Sequence, residues 1–217
     1  MDGEKNSFVW NMRYDDAKGF DGLIMWAANL RGPKASPGNY FVRLNVDENS
    51  MEKSFNILKD PRSNSSIEDL KKQFDFLISI RDKVTSVHEA IIQIRSTRKQ
   101  LNDLKEKLDE NHNELKKNIN EVINNISKIE KTLYQTKNRS GQDPLNFPIK
   151  LNNKLAHLAS VASSGNYKPT DQMYDVRDEL IKKIDIELDL WNDIKRNKLE
   201  KINTAIKESN IQLISIN

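Results

Sequence analysis

The sequence predicts a mainly α protein, an up-down bundle of three or four long helices preceded by a small, incomplete β-sandwich segment. Three observations carry this. Between Pro61 and Gly141 there is neither glycine nor proline, so no residue in that run breaks a helix. Its apolar residues recur at helical spacing. Five of the seven glycines lie in the first 38 residues, so the chain changes character before Pro61. Residues 1–60 read as the Ig-like sandwich segment and residues 61–217 as the helical part.

In the opening segment Phe8, Trp10 and Met12 alternate with Val9, Asn11 and Arg13. Tyr40, Val42, Leu44 and Val46 alternate with Phe41, Arg43 and Asn45. Period two is the pattern of a half-buried strand. Pro37-Gly38 is a turn signal before the Tyr40 strand, and Asp47 to Ser50 turns into another strand carrying Phe55 and Ile57. Three or four strands with Trp10 and Trp26 fit part of a sandwich, since a complete one needs about seven strands. They fit equally a small sheet packed directly on the helices.

Asp60-Pro61-Arg62 closes this block. Ser65 followed by Glu68 has the spacing of a capping box, which satisfies free backbone N–H groups at a helix start. From there Leu70, Leu77, Val84 and Ile91 recur every seven residues, accompanied by Ile80, Val87, Ile94, Leu101 and Leu108. The polar stretch Asp109 to Asn113 marks a reversal. In the second helix Leu115, Ile119, Val122, Ile126, Ile129 and Leu133 alternate spacings of four and three, a coiled-coil seam. That seam serves either an intramolecular bundle or self-association. A loop from Lys137 to Phe147 leads to a shorter helix with Ile149, Leu151, Leu155, Leu158 and Val161, which stops at Gly165. Thr170 caps the last helix. Its buried face is Met173, Val176, Leu180, Ile184, Leu188 and Trp191, extended by Leu199, Ile202 and Ile206.

Composition bounds the function. Apolar residues make up 36% and charged residues 31%, the balance of narrow bundles in which each helix buries only a stripe. The 35 basic and 32 acidic residues mix along the helices, which argues against a basic track for nucleic acid. Without cysteine there is no disulfide framework and no thiolate metal site. No stretch approaches the roughly 18 apolar residues that cross a bilayer, so no membrane insertion is expected. The opening MDGEKNSF has no apolar signal region, an inference that fails if Met1 lies inside a longer chain.

No catalytic, cofactor-binding or metal-ligating residues are assigned. His88, His112 and His157 share no local ligand spacing. Carboxylates sit mostly one turn before a lysine, as Glu68 with Lys72, and support the helix instead of facing another carboxylate across a cleft. The candidate site is the loop between the second and third helices. Pro144 and Pro148 restrict its backbone, Gly141 permits a tight turn, and Leu145 and Phe147 anchor it. It reads either as a rigid connection or as a recognition surface formed by Arg139, Gln142, Asp143, Asn146, Asn152 and Asn153.

The loop string SGQDPLNFPIKLNNKLAHL (140–158), with LYQTKNR before it and the earlier DPR and QFDFLISIRDKV, resembles the C-terminal region of large bacterial sortilin-type or BNR-repeat glycosyl-hydrolase-like proteins. FVWNMRY and GPKASPGNYFVRLNV resemble the β-sandwich segment that precedes the helices in that family. In those relatives a β-propeller comes first and any hydrolase label belongs to it. This chain has no Asp-box repeats, so no catalytic residue carries over. The resemblance implies a non-catalytic accessory or interaction module of an exported or periplasmic protein, supporting or docking the propeller, with Met1 a start inside the sandwich. The alternatives are the tail of a glycoside-hydrolase-like enzyme whose active site lies upstream, and a self-associating coiled-coil scaffold.

Overall fold

The computed structural model describes residues 7–208. They form a mainly helical chain with one two-stranded antiparallel sheet. The strands are β1 (Gly38–Val46) and β2 (Asn49–Ile57); the helices are α1 (Ile67–Lys107), α2 (Asn113–Leu133), α3 (Leu151–Ala162), α4 (Asp171–Asp193) and α5 (Glu200–Glu208). A π-helical segment, Ile194–Leu199, joins α4 to α5.

Helix α1 starts at Ser66, one residue beyond the expected cap. The Ser66 hydroxyl accepts from the Asp69 N–H, and the Asp69 carboxylate accepts from the Ser66 N–H. Ser66-x-x-Asp thus wins over Ser65-x-x-Glu, with the shorter aspartate closing the reciprocal pair. The reversal falls where the polar stretch places it, as a 3-10 turn over Glu110–His112, and Thr170 caps α4.

Cross-helix bonds fix the directions. Arg95 to Glu130 and Lys105 to Asn120 make α2 antiparallel to α1. His88 to Asn152 and Gln73 to the Ala162 carbonyl make α3 antiparallel as well. Lys83 to Asp185 and Trp191 to Gln93 run α4 parallel to α1. Helices α2 and α3 therefore lie one after the other along α1, with the loop between them at mid-length.

All six seam residues of α2 are buried inside the chain. On α4 only Ile184 and Trp191 are fully buried and Val176 is 45% exposed, because α4 meets α1, α2 and α3 through a narrow stripe. Ile149 precedes α3, and Val161 faces outward.

The start of the chain departs most from expectation. Phe8 to Arg13 is no strand; a single isolated bridge, Arg13 to Lys34, touches it. Trp10 covers Tyr40 and Phe55, with ring centroids 6.0 and 6.2 Å away, and Met12 at φ 58° turns the backbone out of extension. Among the described residues the sheet is one hairpin, β1 and β2, and its strands are largely exposed.

Residues 12–35 form an irregular strap doubled back on itself. Ala17 N–H donates to the Leu30 carbonyl, Tyr14 N–H to Pro33, and Ala35 N–H to Met12. Gly32 is required where the two limbs meet, since a Cβ there would lie 2.0 Å from the Tyr14 carbonyl oxygen. Ala17 is buried in the core, and Phe20, Leu23, Met25 and Leu30 pack against it.

Candidate functional site

The loop expected to recognise a partner is built around Asp143. Its carboxylate accepts from the backbone N–H groups of Arg139 and Ser140 and from the Ser140 hydroxyl. The backbone donors hold its pKa below the usual carboxylate range. A 3-10 turn over Asp143–Leu145, with Pro144 inside it, completes a rigid elbow. Arg139 bends back and donates to the Thr136 and Asn138 carbonyls. Gln142 and Asn146 point outward. Leu145 does not anchor the loop: it is 69% exposed, and Phe147 alone turns inward, half-buried beneath the Lys137 ammonium.

Asn152 and Asn153 do not join this surface. Both are buried on α3, facing a second constellation that clamps the strap. Asn153 makes a two-point amide contact with Trp26: its Oδ1 accepts from the Trp26 N–H at 2.7 Å and its Nδ2 donates to the Trp26 carbonyl at 2.8 Å. The Tyr134 hydroxyl accepts from the Ile24 N–H and donates to the Gly22 carbonyl. His157 Nδ1 donates to the Ala27 carbonyl at 2.7 Å. Thr85 Oγ1 accepts from the Lys18 N–H. Helix α1, the end of α2 and helix α3 thus supply the partners that the irregular backbone of the strap lacks.

His88 sits at the centre, fully buried, with Phe20 edge-on at 5.0 Å. Its Nδ1 bonds the Lys18 carbonyl and its Nε2 lies 3.1 Å from Asn152 Nδ2. A carbonyl can only accept, so Nδ1 carries the proton and Nε2 accepts from the amide. Burial pushes the imidazole pKa below its ordinary value, against the smaller opposing effect of the Lys18 carbonyl. Neutral, with both nitrogens occupied, this ring is a bracket and not an available base. Asn152 Oδ1 is left buried without a partner among the described residues.

Beside the clamp, Glu130 is buried and holds Arg95 at 2.7 Å and Arg98 at 2.5 Å. The Arg95 guanidinium lies over the Phe20 ring at 4.6 Å and near the Tyr134 ring at 5.4 Å. The ion pair therefore tethers α1, α2 and the strap together. A cavity of about 450 Å³ lies between the strap, α1 and the end of α3, floored by Leu77, Ile80 and Val84. Two of its cations are engaged with the strap: Arg13 donates to the Gly32 carbonyl and Arg81 to that of Asp15.

His88, His112 and His157 are not brought together. His112 pairs locally with Asp109 at the reversal. Among the described residues no cluster of three or more His, Asp or Glu is disposed to hold a metal ion, and no helix is long and apolar enough to cross a membrane. The clamp was missed by sequence reasoning because its partners are backbone groups, which leave no residue-type signature. One signal was present: apolar residues from Ala17 to Leu30 at irregular spacing within a glycine-containing stretch. No family model, characterised protein or solved structure matches the chain.

Proposed function

We propose that this chain is a non-catalytic interaction module. Its helical part reads as an up-down bundle whose task is to support or dock a larger β-propeller. The observation that carries the reading is the division of polar groups. Those in the interior, His88, Asn153, Tyr134 and Glu130, are spent on bonds within the chain, while the elbow holds Gln142, Leu145 and Asn146 outward on a fixed backbone. A preorganised turn bearing one exposed apolar and two amide side chains suits protein recognition, because little ordering entropy is lost on binding. The propeller as partner rests on the resemblance of residues 140–158.

The test has two parts. Immunoblotting of source cells against the helical region compares the native band with the 25.1 kDa of this chain. If a propeller-bearing polypeptide is found, its purified propeller should bind the module. Gln142→Ala with Leu145→Asp should then weaken binding at least fivefold with no change in melting temperature. Unchanged binding would reject the elbow as the docking surface. A glycosidase activity lost when this region is removed from a longer polypeptide would favour the enzyme-tail alternative. Burial of the α2 seam disfavours the coiled-coil scaffold, since the apolar stripe that would drive it is occupied.

A further inference from the structure

The hairpin carries a run of exposed apolar side chains. Cross-strand register places Tyr40 with Phe55, Val42 with Lys53, Leu44 with Met51 and Val46 with Asn49 on one face. Trp10 covers the Tyr40–Phe55 end. Beyond it Val42, Leu44, Val46 and Met51 are 51–64% exposed. The opposite face carries Phe41, 62% exposed, beside Arg43 and Glu52, which pair with each other at 2.7 Å. A lone two-stranded hairpin is marginal in water, and its stability comes from packing this kind of face against something.

Among the described residues nothing further covers Val42, Leu44, Val46 and Met51. The hairpin leads into the start of α1, whereas α5 packs beside Leu101 and Leu104 near the other end.

Charge identifies the occupant. Lys53 is the one charged residue on the apolar face, and Asp47 and Glu48 occupy the hairpin tip; among the described residues none of the three makes an ion pair. We infer that this face packs against the same face of a second copy of the chain, antiparallel about the Leu44–Met51 pair. In that arrangement the Val42–Lys53 level of one copy lies over the Val46–Asn49 level of the other. Each Lys53 then reaches the Asp47–Glu48 tip of its partner across a sheet spacing of about 10 Å. Parallel stacking about a two-fold would set each Lys53 over the partner's Val42, at the same level as the other Lys53 and away from the acidic tip. The two-fold makes the contact isologous and closed, so it gives dimers and not fibres. Counting roughly 100 Å² for each large side chain covered, the two copies together bury about 1,000 Å², the lower limit for a specific interface.

Sedimentation equilibrium of the full chain tests this from about 1 to 200 µM in moderate salt. A dimer should form within this range of concentration. Leu44→Asp should abolish it, with the helical circular dichroism and melting temperature retained. Lys53→Glu and Glu48→Lys should each weaken association, the first about tenfold. The double variant should associate at least threefold more tightly than Lys53→Glu alone. A wild-type monomer at the highest concentration, or a dimer indifferent to Leu44→Asp, would overturn the inference. Strictly additive losses in the double variant would overturn the antiparallel geometry. Either failure leaves the propeller reading where it stands, because that reading uses the elbow.

Discussion

At the scale of single residues, the clamp makes two predictions that differ in kind. His88 titrates in the unfolded chain near 6.5 and below that value when buried. Below pH about 6.5 the unfolded state therefore binds more protons than the folded one. The stabilising contribution is complete above that pH and is lost as pH falls toward the folded-state value. The carboxylates held at lowered pKa, Asp69 and Asp143 among them, lose theirs only below about pH 4. Melting temperature should thus fall between pH 7 and 5, and His88→Gln should flatten that slope while lowering the melting temperature at pH 7. An unchanged slope would show that the ring is not buried neutral. Asn153→Ala tests the bonding itself. It strands the Trp26 N–H and carbonyl, both partly buried, and should cost about 1–3 kcal/mol in chemical denaturation. Amide exchange should accelerate from Ile24 to Ala28 without a matching change in β1.

At the scale of elements, what was legible depended on which groups do the holding. Helices held by side-chain stripes announced themselves. The four-three spacing from Leu115 to Leu133 gave every buried position of the α2 seam, and Leu70 to Leu108 marked α1 because each turn must repeat its contact with a neighbour. The strap is held by backbone pairing and by amide and imidazole partners from α1, α2 and α3, so no period exists to be found. Asn152 and Asn153 followed a loop in sequence and read as its extension, but a helical turn carried both amides inward. Phe8 to Met12 alternated without forming a strand, and Trp10 is seated over one end of the hairpin. The cap of α1 was misplaced by one residue among adjacent serines, and mutation separates the two. Ser66→Ala should cost about 1 kcal/mol through loss of the cap. Ser65→Ala, whose hydroxyl donates to the Asn166 carbonyl at an exposed position, should cost less than half as much in the same denaturant titration.

For the whole molecule, the strap and the hairpin are neighbours in sequence but unequal in what they hold together. Phe20, Leu23, Met25 and Leu30 pack on the helical core, and the strap backbone satisfies Tyr134, His88, Asn153 and His157. Removing residues 1–37 would expose that groove and leave those polar groups unpaired, each at a cost of roughly 1–3 kcal/mol. Such a sum approaches the whole stability of an ordinary domain, about 5–15 kcal/mol. The truncated chain should therefore bind a hydrophobic dye, lose its near-ultraviolet circular dichroism and melt without cooperativity while keeping much of its helix. The hairpin instead stands clear: Val42, Leu44, Val46 and Met51 are solvent-exposed, and it meets the remainder through its base at Tyr40, Phe55 and Ile57. Replacing residues 42–53 with a short glycine-serine turn should leave the melting temperature within about 3 °C, since no core contact is lost. It should also remove self-association completely. If the shortened protein instead melts many degrees lower, the hairpin braces the strap through Trp10, and the folding unit extends through it. If it melts unchanged and no longer associates, residues 38–57 serve contact between chains, and the helices with their strap form the unit that folds.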